Sequence, residues 1–315
     1  MEQRIKRQTG IISAIGAYSL WGILPVYWKL IFQVPAHEIL AHRIFWSFIF
    51  MLGIIVAANR KKQFYQEMKQ LVHAPKKLLA LTMGSVLISI NWFIYIWAVT
   101  NNRVIETSLG YYINPLISVL LGILVLKERL SFWQLISVLL AMSGVLYMTM
   151  HFGSVPWVAL LLAISFGLYG LCKKVADITP ITGITLETLI MTPFAFCYIL
   201  YLDVHSAGSF VGLSVTSILL IGSGIITAIP LLLFANSANQ LSLITLGFIQ
   251  YLSPTIALML GVFLYHESFT QVHFVSFCFI WTALLLFSLS RTGVFMKIEM
   301  FVLQTFAWKK EHEGN

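Results

Sequence analysis

The second long apolar stretch of the chain opens with three ionisable side chains. Glu38 and His42 are four residues apart, so they share one face of a helix, and Arg43 lies one position round it. An arginine inside a membrane span is unfavourable by about 2.5–3.5 kcal/mol on insertion scales, so Arg43 should face water, protein or a countercharge. Together with Glu187, these residues are predicted to act in gating or proton coupling. The alternative for the first three is a local Glu–Arg pair that locks the helix.

Amide and aromatic polar groups within apolar stretches form the predicted substrate site. A buried indole N–H, phenol or amide needs a hydrogen-bond partner, and away from the membrane interface such groups often line a cavity. The alternative is hydrogen bonding between helices without any ligand. The predicted substrate-binding residues are Trp21, Asn91, Trp92, Tyr95, Tyr112, Asn114 and Gln250.

The sequence carries none of the enzyme motifs that its residue types might suggest. It contains no phosphate-binding P-loop, no H-E-x-x-H zinc motif and no G-x-S-x-G nucleophile elbow. Its three cysteines have no metal-ligand spacing. We therefore expect no enzymatic activity, no cofactor and no metal site. Two alternatives stay open: a membrane-embedded enzyme that acts on lipid through Glu38 and His42, and a non-transporting membrane sensor or scaffold.

The elements that must position these residues are apolar helices in a lipid bilayer. Only 10% of the 315 residues are charged and 59% are apolar, whereas soluble domains carry about 25% charged residues. Most of ten apolar stretches reach the roughly 20 residues that a helix needs to cross a bilayer. They cover roughly 10–31, 36–58, 78–99, 105–126, 132–150, 156–172, 184–202, 215–235, 243–265 and 272–290. The sequence predicts an all-α integral membrane protein with ten transmembrane helices.

One pattern of five residues occurs twice, 139 residues apart. The copies are Tyr112, Pro115, Gly122, Glu128 and Ser131, and Tyr251, Pro254, Gly261, Glu267 and Thr270. Such self-similarity indicates a duplicated unit, with repeat one over 10–150 and repeat two over 156–290, and these residues are predicted to be structural. Because five spans are an odd number, the repeats must have opposite orientations, a 5+5 inverted repeat as in secondary transporters. The sequence Ser131-x-x-Gln134 also predicts a helix-capping box.

Further residues match between the repeats at a slightly larger offset. Glu38 aligns with Glu187, and Trp21-Gly22 aligns with Tyr169-Gly170. Glu187 has no cation in its own stretch, so it is either a counterpart of Glu38 at the other end of the bundle or a residue at the level of the lipid headgroups.

Basic residues are distributed unevenly between the loops. If the N-terminus is cytoplasmic, all but three of the 20 Lys and Arg residues fall in the inner segments. The exceptions are Lys29 and Arg103 in outer loops and Arg43 within a span. This asymmetry predicts that both termini are cytoplasmic, and it attributes the net charge of +8 to topology and not to nucleic acid. The loop 59–77 is predicted to be a solvated connector, with a short surface helix as the alternative, and the tail 291–315 to be cytoplasmic with an interfacial helix.

Four motifs together resemble the RarD-type permeases of the EamA family, within the drug/metabolite transporter superfamily. The motifs are Glu38-x3-His42-Arg43-x2-Trp46-Ser47, Asn91-Trp92-x2-Tyr95-x-Trp97-Ala98-Val99, Ser108-Leu-Gly-Tyr-Tyr-Ile-Asn114-Pro115 and Gly247-Phe-Ile-Gln250-Tyr-Leu-Ser-Pro254. The resemblance implies a multi-pass permease of the bacterial cytoplasmic membrane. We therefore expect a secondary transporter that moves a small metabolite or drug by alternating access, with proton coupling as one option. The substrate and the oligomeric state are left open.

Overall fold

The computed structural model describes residues 2–100, 104–151, 157–264, 270–290, 292 and 295, and every regular element within these residues is helical. The helices are α1 (Glu2–Lys29), α2 (Ala36–Ala57), α3 (Lys61–Val72), α4 (Pro75–Thr100), α5 (Val104–Leu124), α6 (Phe132–His151), α7 (Trp157–Ala176), α8 (Pro180–Val204), α9 (Val215–Gln240), α10 (Leu243–Gln250), α11 (Leu252–Met259) and α12 (Gln271–Leu289). Within the described residues, nine helical segments are long and apolar enough to cross a membrane, and Gly110–Leu124 is a shorter apolar helix. These segments correspond to the ten predicted stretches.

The loop 59–77 contains a helix, which was the alternative to a solvated connector. Helix α3 buries Leu71 and packs Phe64 and Met68 against Leu81 and Leu186 of the neighbouring helices. Its lysines, Gln66 and Gln70 are exposed, whereas Gln63 and Glu67 are half-buried. The segment is therefore an amphipathic helix, whose apolar stripe is too short to stand out in a hydropathy profile.

The ninth predicted span is interrupted. Helix α10 ends at Gln250, α11 begins at Leu252, and a π-helical turn over Leu260–Leu264 completes the segment. Pro254 lies in the first turn of α11, where its missing N–H leaves no gap in the hydrogen bonding. Pro115, its counterpart in the repeat pattern, lies inside the continuous helix α5.

The chain divides into two compact units. The first comprises residues 1–122 and 156–267, and in it α1 packs on α9 and α11, α2 on α8 and α9, and α4 on α7. Glycines allow these helices to approach closely, as is common in membranes. A Cβ at Gly22 would lie 2.7 Å from Ile256, and a Cβ at Gly167 would lie 2.7 Å from Ile117.

The second unit comprises residues 123–155 and 268–315. In its described part, α6 packs on α12 with Gly144 against Phe279. The predicted capping box is confirmed, because Ser131 N donates to Gln134 Oε1 at 3.0 Å and Gln134 N donates to Ser131 Oγ at 3.4 Å. Thr270 forms the same reciprocal cap with His273 at the start of α12.

Candidate functional site

Arg43 is a buried cation without a carboxylate partner among the described residues. Its side chain is 6% exposed, and its Nε donates to Thr227 Oγ1 of α9 at 3.0 Å. No other hydrogen-bond acceptor for the guanidinium is found in the described part of the chain. The predicted Glu38–Arg43 pair is not formed, so Arg43 retains donors that can bind a ligand.

Aromatic rings surround the guanidinium of Arg43. Its Cζ lies 4.6 Å from the ring centroid of Trp28 and 4.5 Å from that of Trp92, both within cation–π range. The rings of Tyr95 and Tyr111 are 5.7 Å apart, and both phenols interact electrostatically with Arg43. Helices α1, α2, α4, α5 and α9 therefore converge on this residue. We refer to Trp28, Arg43, Trp92 and Thr227 as the Arg43 site.

Glu38 and His42 form a separate cluster at the beginning of α2. The carboxylate of Glu38, 1% exposed, accepts hydrogen bonds from the backbone N–H and the hydroxyl of Ser209 in the loop after α8. His42 Nδ1 accepts a hydrogen bond from Trp46 Nε1 at 3.2 Å, and its Nε2 lies 4.0 Å from Glu38 Oε1. The His42 ring stacks on Phe210. This cluster therefore holds the loop after α8 against α2.

Glu187 forms a buried ion pair with a lysine from another helix. Lys173 Nζ of α7 lies 2.9 Å from Glu187 Oε1, and the two side chains are 7% and 5% exposed. Tyr169 donates its hydroxyl to Glu187 Oε2 at 3.1 Å. Both carboxylate oxygens of Glu187 therefore have partners, and the side chain is buried between α7 and α8.

Trp21 belongs to an aromatic cluster between three helices. Its ring lies 5.6 Å from Phe166 of α7 and 5.7 Å from Phe234 of α9, and 5.4 Å from Tyr18 of its own helix. Phe234 also stacks on Tyr169. Trp21 is two helical turns before Trp28, about 10 Å along α1. The aromatic cluster around Trp21 therefore lies on the side of the Arg43 site that faces the N-terminus of α1.

The remaining predicted substrate residues mainly join helices. The amide nitrogen of Asn91 donates to Leu162 O and Ser165 Oγ of α7, each at 2.9 Å. This geometry fits the alternative in which polar groups link helices.

Tyr112, Asn114 and Gln250 lie where α5 crosses α10 and α11. The hydroxyl of Tyr112 donates to Pro254 O at 3.4 Å, and Ser118 Oγ donates to Gln250 Oε1 at 3.2 Å. Asn114 Oδ1 is buried and has no hydrogen-bond partner among the described residues. Tyr112 and Gln250 therefore join α5 to α10 and α11.

The structural repeat residues have distinct surroundings. Gly122 is buried in α5, Glu128 is half-buried in the connector before α6, and Gly261 lies in the π-helical turn. Glu267 and almost all of the predicted tail 291–315 lie outside the described residues.

Sequence reasoning missed Trp28, Thr227, Lys173 and Tyr169. Lys173 resembles a loop charge, because the apolar stretch ends at about residue 172 while α7 continues to Ala176. Trp28 precedes Lys29 and resembles an interfacial aromatic residue. Lys173 could have been found from Glu187, because a carboxylate in an apolar stretch that contains no cation requires a cation from another helix.

Long apolar helices with buried charges and aromatic rings between them are typical of a multi-pass membrane protein. The EamA-like transporter family matches residues 8–150 and, a second time, residues 154–289. The chain belongs to the EamA-like transporter family. It is 48% identical over 293 residues to the uncharacterized transporter YojE of Bacillus subtilis (strain 168), covering 92% of this chain and 96% of that protein.

RarD proteins are also similar to this chain. Protein RarD of Escherichia coli (strain K12) is 43% identical over 289 residues, covering 91% of this chain and 96% of the relative. A solved crystal structure has a TM-score of 0.68 at 15% identity, with 89% of this chain and 97% of the other covered. The likeness to that structure concerns the fold alone. The relatives confirm the RarD-type resemblance and a bacterial membrane transporter.

Proposed function

We propose that this protein is a secondary transporter that moves a small organic solute across the bacterial cytoplasmic membrane by alternating access. The observation that carries the proposal is the Arg43 site, in which a buried guanidinium faces aromatic rings with most of its donors unused. Buried charges in membrane proteins mark substrate pathways by default because they are costly to retain. Trp21, Trp92 and Tyr95 would contact the same solute.

The 5+5 inverted repeat is part of this proposal. The family matches the chain twice, and two glycine contacts are related by the repeat spacing. Gly22 meets Ile256 and Gly167 meets Ile117, and the two isoleucines are 139 residues apart, as are the members of the repeated pattern. Thus α1 contacts the ninth span as α7 contacts the fourth, which supports a pseudo-twofold relation between the halves.

Alternating access is supported by bonds between the two halves near both ends of the bundle. At the end where α2 begins, which we call the Glu38 end, Glu38 binds Ser209. At the opposite end, where α4 and α8 begin, Lys77 Nζ lies 3.2 Å from Asp177 Oδ2 and Thr179 donates to Glu67 Oε2 at 2.6 Å. We call this the Lys77 end. A transporter that opens to each side in turn must break one set while keeping the other.

The orientation and the coupling ion complete the proposal. The basic residues of α3 and of the start of α4 gather at the Lys77 end, which supports a cytoplasmic location for that end and for both termini. Glu38 and His42, 4.0 Å apart and buried, would carry the coupling proton.

The test is solute flux in proteoliposomes and inside-out vesicles, with a panel of metabolites and antibiotics, with and without a proton gradient. We expect Arg43→Gln to lose most of its flux while the protein remains folded in the membrane. Arg60→Gln is the matched control, because Arg60 is exposed and bonded only to Gln63 among the described residues. No flux of any compound through folded protein would refute the transport proposal. Flux that a protonophore does not change would refute proton coupling and leave the transport proposal intact.

A further inference from the structure

The two halves of the bundle place interacting residue pairs at equivalent positions. Trp28 lies six residues after Gly22, and Lys173 lies six residues after Gly167. Because Gly22 and Gly167 make equivalent contacts, Trp28 and Lys173 correspond. This correspondence replaces the pairing of Gly22 with Gly170 that the sequence alone favours.

The second members of these pairs correspond as well. Arg43 is the eighth residue of α2, and Glu187 is the eighth residue of α8. In the first half, Trp28 contacts Arg43 at 4.6 Å between ring centroid and Cζ. In the second half, Lys173 contacts Glu187 at 2.9 Å. Glu187 is thus the positional counterpart of Arg43, and not of Glu38.

The equivalent pairs differ in their charge balance. Lys173 and Glu187 neutralise each other, and Tyr169 binds the second carboxylate oxygen. In the first half, an uncharged tryptophan occupies the position of the lysine, so Arg43 keeps a full positive charge. Thr227 accepts a hydrogen bond from Nε but supplies no charge. The described part of the chain therefore lacks one negative charge at this position.

We propose that the transported substrate is an organic monoanion whose carboxylate pairs with Arg43. This inference rests on the proposed transport function and specifies its substrate class. The fork of guanidinium donors matches a carboxylate in bidentate geometry. One carboxylate balances the single cation of the Arg43 site, whereas a phosphate dianion leaves a net negative charge in a dry site. The rings of Trp28, Trp92 and Trp21 provide an apolar lining for the body of the substrate.

The first experiment uses matched probes with one carbon skeleton and different headgroups. The probes are 3-phenylpropionate, 3-phenylpropionamide, 2-phenylethylphosphonate and 3-phenylpropylamine, with the straight-chain octanoate and octanamide as a second skeleton. Binding is followed by thermal stabilisation of the purified full-length protein, and transport by flux in proteoliposomes. We expect the carboxylates alone to bind, and they alone should show flux above that into protein-free liposomes.

Substitutions at the Arg43 site separate charge from packing. Arg43→Gln should weaken carboxylate binding at least tenfold, and Arg43→Lys should restore part of it. Arg60→Gln, at an exposed arginine outside the site, should leave carboxylate binding unchanged. Preference for the phosphonate, or transport of the amide or the amine with unchanged affinity in Arg43→Gln, would overturn the inference while leaving transport intact. Absence of flux for these probes and for the whole metabolite panel would overturn the transport function as well.

A second variant tests the missing charge without any ligand. Trp28→Glu would place a carboxylate at the position that corresponds to Lys173, next to Arg43. We expect Trp28→Glu to have a higher unfolding midpoint than the neutral variant Trp28→Gln, and to gain no stability from 3-phenylpropionate. A lower midpoint for the Glu variant would show that Arg43 needs no anion, and would overturn the inference.

Discussion

The buried pair of Lys173 and Glu187 allows a quantitative test of the packing described above. Replacing Lys173 by Met leaves a carboxylate that is 5% exposed without its cation. Breaking a buried pair by removing one partner costs about 3–5 kcal/mol, since the remaining charge is uncompensated. Glu187→Gln should cost a similar amount, because it leaves the ammonium of Lys173 unpaired. The double variant removes both charges, and the amide oxygen of the new Gln can still accept from Tyr169, so we expect it to lose only about 1 kcal/mol.

The measurement is a double-mutant cycle on the free energy of unfolding in mixed micelles titrated with SDS. These losses predict a coupling energy of about 5–9 kcal/mol, above the roughly 0.5–3 kcal/mol usual for residues in contact, because each single variant leaves a buried charge unpaired. The control cycle uses Lys77→Met and Asp177→Asn, whose side chains are 43% and 74% exposed at a similar separation of 3.2 Å. That pair should show a coupling of about 0–1 kcal/mol because solvent screens it. Additive losses at Lys173 and Glu187 would refute the assignment of a structural ion pair.

Two further predictions concern helix contacts in the first unit. Gly224→Ala should greatly reduce the amount of folded protein in the membrane, because the added Cβ would overlap the backbone of α2. The control Gly53→Ala should be neutral or stabilising, because no atom lies within 4 Å of the Cβ position there. The yield of detergent-resistant protein in size-exclusion chromatography checks both variants. Glu38→Gln should loosen the loop that contains Ser209, costing about 1.5–3 kcal/mol locally for hydrogen bonds to a charged group, and amide exchange of that loop should rise. Gln33→Ala, which removes an exposed 3.4 Å bond to Thr216, should leave that exchange unchanged; equal exchange in both variants would contradict the role of Glu38.

The positions of the membrane helices could be predicted from hydropathy because a bilayer requires long apolar segments. Helix α3 could be predicted only as one of two options for its loop, since its apolar side consists of a few residues and is fixed by packing on Leu81 and Leu186. The break at Gln250 also escaped prediction, although Pro254 favours a helix start nearby. A proline can lie inside a continuous helix, as Pro115 does, or in the first turn of a new helix, as Pro254 does. The surrounding contacts therefore decide whether the helix breaks.

The candidate site could be predicted only in part. A charged residue in an apolar stretch is visible in sequence, and this pattern marks both Arg43 and Glu187 as candidates. Their partners were not visible, because Lys173 and Thr227 come from other helices. Polar residues in spans satisfy their hydrogen bonds either with helices or with ligands, and sequence cannot separate the two cases. Asn91 illustrates the first, since both of its donated bonds go to α7.

The charge imbalance between the halves has a consequence for the transport cycle. An empty carrier that closes around Arg43 must bury an uncompensated cation, whereas a carrier loaded with a monoanion buries a neutral pair. Closure of the loaded carrier is then favoured over closure of the empty carrier by the difference in the free energy of burial. Each 1.4 kcal/mol of that difference changes the population of the closed form tenfold. We therefore expect exchange of labelled for unlabelled anion to be at least tenfold faster than net efflux into anion-free buffer. The charge-free Arg43→Gln protein should lose this ratio along with most of its flux. Equal rates of exchange and net efflux in the unmodified protein would show that the buried charge of Arg43 does not limit return of the empty carrier.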